Sequence, residues 1–242
     1  MSGQGLDCFI LFLINITLTP YCSDTRSSID SIHYLSSMKF LSLSLLLLAL
    51  QSCPPGSDIN DIEKTPETVE ADHAYANVFQ MLDGTWQGEF EIWEDPTPVN
   101  RSQIDLKNLK PELIDQNRLQ RINTISVTQH YHSVSPYFQR VHIIDTYPKT
   151  GKVEESKGVN KVQQGKLWCV VHKPNEIIIH EGSLPNANTI IWQSEQRSPQ
   201  KIEYFQETVL ADVYEIIGYG YYEGDDIRHS PKLWFYGRYE RQ

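Results

Sequence analysis

The chain is predicted to be all-β, an antiparallel meander of about ten strands closing into a barrel with a short N-terminal helix. Three observations predict it. From Thr85 onward residues alternate with period two, Trp86, Gly88, Phe90 and Ile92 against Gln87, Glu89 and Glu91, the pattern of a strand with one buried and one wet face. Similar segments recur at about 119–131, 138–147, 152–161, 166–173, 176–181, 189–196, 200–209, 213–223 and 232–240, separated by turn signals such as Lys149-Thr150-Gly151 and Lys173-Pro174-Asn175. Short links between consecutive strands imply antiparallel neighbours, and a meander this long most simply removes its edges by closing. A two-sheet sandwich is the competing arrangement.

The segments ahead of the barrel set an address. Met38-Lys39 gives a positive start, Phe40 to Leu50 a short apolar run, and Leu50-Gln51-Ser52-Cys53 the small-residue approach to a cysteine. Together they read as a bacterial lipoprotein signal peptide over 38–52, with lipid expected on Cys53. The apolar run is shorter than the roughly 20 residues a membrane-spanning helix needs. Residues 1–37 then read as an upstream extension from a start codon set too early. Residues 53–71, rich in Pro, Asp, Glu, Ser and Thr, read as a flexible tether, and 72–242 as the barrel domain. The expected location is the bacterial envelope, with the outer membrane favoured because Pro54, not Asp, follows the cysteine.

Composition narrows the function classes. Two of the 21 basic and three of the 31 acidic residues lie in 1–52, which leaves the remainder a formal charge of −9. An acidic domain without a Lys/Arg cluster is a poor nucleic-acid binder, so membrane attachment must come from the lipid. Cys169 is the one cysteine after Cys53, so no disulfide framework is expected despite an oxidising destination.

Within the domain, Asp72 is expected to cap a helix through Leu82 that presents Tyr75, Val78, Phe79 and Leu82 on one face and stops at Asp83-Gly84. The first two strands flank a connection of about 25 residues, Glu94 to Arg118, with Pro96, Pro98 and Pro111. Long connections in compact domains are usually functional or disordered, and this one is a candidate lid over a barrel mouth.

Gly84-Thr85-Trp86 opening the first strand, followed by the meander and an Arg-bearing last strand, Trp234 to Arg241, resembles the calycin superfamily of lipocalins and relatives. That resemblance implies that Trp86 plugs the barrel floor with a cation, Arg238 or Arg241, lying across its indole. Pro136-Tyr137-Phe138-Gln139-Arg140-Val141-His142, after Gln129-His130-Tyr131, is locally similar to calycin-type phycobiliprotein chromophore lyases. The nitrobindin-like haem barrels are a third comparison, but their iron-binding histidine would fall near Trp234 here.

With Trp86, Phe90 and Ile92 facing inward, the matching inward sets are Ile125, Val127, Gln129 and Tyr131 on the second strand and Phe138, Arg140, His142 and Ile144 on the third. That phase places Gln129, Arg140 and His142 as polar groups in an apolar cavity, the usual design of a small-molecule site; a shift of one residue would exchange the faces. Tyr219 and Tyr221 share one face and Tyr214 and Tyr222 the other, and the first pair are further candidates to line the cavity. His130 and His132 share a face but lack a third ligand, so no metal site is expected. Cys169 reads as an inert buried thiol, Gly224-Asp225-Asp226 as a solvated turn, and no catalytic constellation stands out. The expected function is binding of a small apolar or amphipathic ligand, with cofactors left open. A lyase-like enzyme in the same cavity and a cavity-free interaction module are the alternatives.

Overall fold

In the computed structural model the described residues are 58–242, apart from 104, 107, 115 and 116. The readings of 1–37, of the signal peptide and of lipid on Cys53 lie outside them. Alternation produces ten strands: β1 (Gly84–Glu94), β2 (Gln120–Ser135), β3 (Phe138–Tyr147), β4 (Lys152–Gln163), β5 (Lys166–Lys173), β6 (Glu176–Asn186), β7 (Thr189–Arg197), β8 (Gln200–Leu210), β9 (Val213–Tyr221) and β10 (Leu233–Arg241). Every strand pairs antiparallel with its sequence neighbour, and β1 pairs with β10, so the sheet closes on itself. Closure satisfies both edges of the meander, which a sandwich would leave open.

The segment before β1 is not one helix. It forms 3-10 turns at Glu70–Tyr75 and Gln80–Leu82, interrupted where Asn77 takes a φ of 64°. Asp72 accepts from the amides of Val69 and Gly165, which pins the segment across the end of β4 and start of β5. Its apolar face docks as expected: Phe79 and Leu82 are fully buried beneath the barrel, with Tyr75 and Val78 beside them.

Two stretches expected to be free or mobile lie on the outer wall. Ile59 and Ile62 pack on Phe138, Val159 and Val170, while buried Lys161 donates to the carbonyl of Asp61 and the His172 ring contacts that of Asn60. Part of the stretch read as tether is therefore docked. Part of the Glu94–Arg118 connection lies against the outer wall. Leu106, Leu109 and Leu119 cover an outward aromatic patch of Trp93, Tyr204, Ile217, Tyr219, Tyr221 and Trp234. Buried Asp95 holds this flap through Arg118 at 2.7 Å and the Ser230 hydroxyl at 3.2 Å. The flap follows from the sequence of β9 and β10, which sets Ile217, Tyr219, Tyr221 and Trp234 side by side on the outer face, an apolar patch that has to be covered.

Candidate functional site

The interior is built in three levels. At the floor, Trp86, Tyr131, Tyr214 and Tyr239 enter from four strands and are almost wholly buried. The Trp86 indole N–H donates to the Leu82 carbonyl at 2.7 Å, and its ring meets Tyr214 edge-on at 5.5 Å. Arg241 lies 4.1 Å from the indole centroid and donates to the Asp83 and Met81 carbonyls. The guanidinium thus seals the base by cation–π contact while satisfying carbonyls at the end of the second turn. Gly84 fits this plug twice over: its φ is 121°, and a Cβ there would sit 2.9 Å from an Arg241 nitrogen.

Above the floor, the Tyr131 hydroxyl donates to Gln129 at 2.5 Å and lies 3.3 Å from that of Tyr214. Burial pushes the Tyr131, Tyr214 and Tyr239 hydroxyls well up, so they stay protonated donors. A belt of Phe90, Phe205 and Phe235 follows, with centroids 5.9 and 5.4 Å apart along the series Phe90–Phe235–Phe205. Glu207 stands beside Trp192 and Tyr214. Burial raises its carboxyl, and those two donors offset the rise only in part.

At the mouth, charged and polar side chains cluster. Glu203 contacts His180 at 3.4 Å and Lys201 at 3.5 Å and accepts from the Tyr222 hydroxyl at 2.9 Å; Lys201 also reaches Glu176 at 2.9 Å. Burial works against the Glu203 carboxylate, but His180, Lys201 and Tyr222 outweigh it and hold the group below the usual carboxylate range. Across the opening, Tyr147 and Lys152 both engage Glu154, while burial lifts Asp145 against the pull of Lys173.

These levels do not fill the barrel. Phe90, Ile92, Ile143, Asp145, Cys169, Phe205 and Glu207 all point inward, yet each keeps accessible surface, unlike Trp86, Leu167 and Ile190 at the floor. The burial that raises Cys169 and Glu207 places them deep inside the wall, so the surface they keep faces interior space. Ten strands enclose a wider lumen than the eight that side chains just fill.

The structure sorts the residues expected at this site. Gln129 is inside and buried. Arg140 and His142 are outside, because β3 turns Gln139, Val141, Ile143 and Asp145 inward. Arg140 reaches the carbonyls of Ile62 and Glu63 on the docked N-terminal stretch, and His142 stacks on His130 at 5.8 Å beside Glu155. The phase error has a physical source: Phe138 is fully buried, but against Ile62 on the outer wall, and an irregularity in register separates Ser133 from Ser135 in the partner strand. Tyr219 and Tyr221 do share a face, the outer one beneath the flap, while the Tyr222 hydroxyl reaches the inward Glu203. Arg241 supplies the floor cation; Arg238 is outside, paired with Glu215 at 2.7 Å. Among the described residues no group of three His, Cys, Asp or Glu side chains is arranged to hold a metal.

His180, Glu203 and Glu207 escaped the sequence reading. In β8, Lys201-Ile202-Glu203-Tyr204-Phe205-Gln206-Glu207 puts charged or polar residues and aromatics on both faces, so hydrophobicity does not mark the inner one. The usable signal was strand pairing: Glu207 sits opposite Ile190 and Ile216, both inward.

No protein-family model matches the chain, and no curated protein matches it. Among solved structures it is similar to one described as "Structure of EF1p2_mFAP2b bound to DFHBI", at 14% identity and a TM-score of 0.31, covering 69% of this chain and 99% of that one. The barrel rests on the chain's own strand pairing.

Proposed function

We propose that this protein is a calycin-like barrel that binds a small amphipathic ligand, held at a bacterial envelope by lipid on Cys53. The observation that supports ligand binding is the accessible surface on inward aromatic and polar side chains of a closed barrel whose floor is sealed. A lumen with an aromatic belt, a few buried hydroxyl and amide groups and one sealed end is a common form of small-molecule site. Lipid attachment rests on the Cys53 motif, and among the described residues no helix is long and apolar enough to cross a membrane. The lyase reading is the weaker one, since Arg140 and His142 of the similar segment face outward and the deep Cys169 thiol is pushed up by burial, away from nucleophilic use.

Two measurements on the full chain test the proposal. Native mass spectrometry of freshly purified protein should show a co-purifying small molecule that denaturation releases; a clean apo mass together with no uptake of a neutral hydrophobic dye would defeat the binding reading. Cys53→Ser should move the protein from the membrane to the soluble fraction, and unchanged membrane attachment would defeat the lipid anchor.

A further inference from the structure

Glu207 is an inward carboxyl that, like Asp145 on β3, enters no ion pair among the described residues, and it is the one flanked by the Trp192 and Tyr214 donors. Its register partners are Ile190 and Ile216, and none of the ion pairs among the described residues includes it. The cations of the barrel are committed elsewhere: Lys201 to Glu176 and Glu203 at the mouth, Arg241 beneath Trp86. The groups that act on Glu207 or feel its charge are Trp192 from β7, Tyr214 from β9, Tyr131 from β2, Tyr239 from β10, Cys169 from β5 and His180 from β6. Trp192 and Tyr214 offer hydrogen-bond donors to the carboxylate, which favours its charged form, and Glu207 as a residue is only half-buried on the inner face of the barrel.

An unpaired carboxyl in an apolar wall is costly when ionised. A neutral guest leaves that cost in place and an anionic guest adds repulsion. A cationic guest supplies the missing charge, and the rings of the Phe90, Phe205 and Phe235 belt add cation–π attraction. Resting on the ligand-cavity reading, we infer that the lumen takes small aromatic or apolar amines, with the ammonium seated at Glu207 and the organic body along the Phe90–Phe205–Phe235 belt. Seating an ammonium there favours the ionised carboxyl, so binding releases a proton.

The test uses the full chain with tryptamine and tryptophol, an amine and an alcohol of nearly equal size, competing against the neutral dye 1-N-phenylnaphthylamine, with direct calorimetry in parallel. Tryptamine should bind about tenfold or more tighter than tryptophol, the scale of one recovered charge contact. Glu207→Gln should cut that preference to about twofold or less. Lowering the pH from about 8 to about 5 should shrink it in the unsubstituted chain as Glu207 takes up its proton, which keeps the test decisive if the variant fails to fold. If the dye binds but the two probes bind equally, or the preference survives both the substitution and the pH change, the amine inference falls and the cavity stands. If neither dye nor tryptamine binds, both fall.

Discussion

Arg238 and Arg241 lie three residues apart on the same strand but on opposite faces, so replacing each with alanine separates the floor plug from a surface charge. Arg241 sits 4.1 Å from the Trp86 centroid with its side chain 32% exposed, a geometry worth about 1 kcal/mol of cation–π attraction. Its charge-assisted bond to the Asp83 carbonyl adds roughly 1.5–2 kcal/mol. The contact to Asp212, a side chain that is 82% exposed, adds nothing measurable. Arg241→Ala should therefore cost about 2–3 kcal/mol, a fall in Tm of roughly 5–10 °C for a domain of this size. Arg241→Lys should recover less than half, since an ammonium lacks the planar fork. Arg238→Ala removes a solvent-exposed pair with Glu215 and should leave the denaturation midpoint unchanged. Urea unfolding followed by tryptophan fluorescence reads all three. Equal effects of Arg238→Ala and Arg241→Ala would refute the plug.

Glu207 makes a pH prediction with a definite sign. Because burial raises its pKa in the folded state from an ordinary value near 4.5, the folded chain holds a proton there that the unfolded chain has lost. Its contribution is full below about 4.5 and lost as pH rises toward the raised value. Glu207→Gln should remove that decline, so its unfolding free energy should gain on the unsubstituted chain as pH rises; parallel pH profiles from urea melts would count against a buried, proton-holding Glu207. The flap makes a second prediction. Leu109 is 2% exposed beneath it, so Leu109→Ala should cost about 2–3 kcal/mol and open 94–118 to limited proteolysis, whereas unchanged proteolysis would mean the flap is held by Asp95 alone.

Much of the architecture was legible because a closed antiparallel meander leaves period-two alternation and turn residues at nearly every step. The floor plug was legible through the likeness of Gly84-Thr85-Trp86 to the calycin motif, which left the cation open between Arg238 and Arg241; the strand's facing decides for Arg241. The phase of β3 was not. Phe138, Arg140, His142 and Ile144 are about as apolar as Gln139, Val141, Ile143 and Asp145, and the outer set is buried at Phe138 by a segment more than 70 residues earlier in the chain. Tyr219 and Tyr221 misled in the same way: an aromatic strand face reads as interior, yet a leucine-bearing flap covered it from outside. Glu207 was hidden because each face of β8 mixes polar side chains with an aromatic, and only the pairing with Ile190 and Ile216 assigns its side.

The central claim, a ligand-sized lumen lined by one face of β3, is tested most directly by binding of 1-N-phenylnaphthylamine to the unsubstituted chain, Ile143→Trp and Ile144→Trp. Ile143 faces the lumen with accessible surface and Ile144 faces away, so a tryptophan should fill the cavity at the first position and merely decorate the wall at the second. The account predicts saturable, near-equal dye binding by the unsubstituted chain and Ile144→Trp and its loss in a folded Ile143→Trp. Equal binding by both variants, or none by the unsubstituted chain, would contradict it.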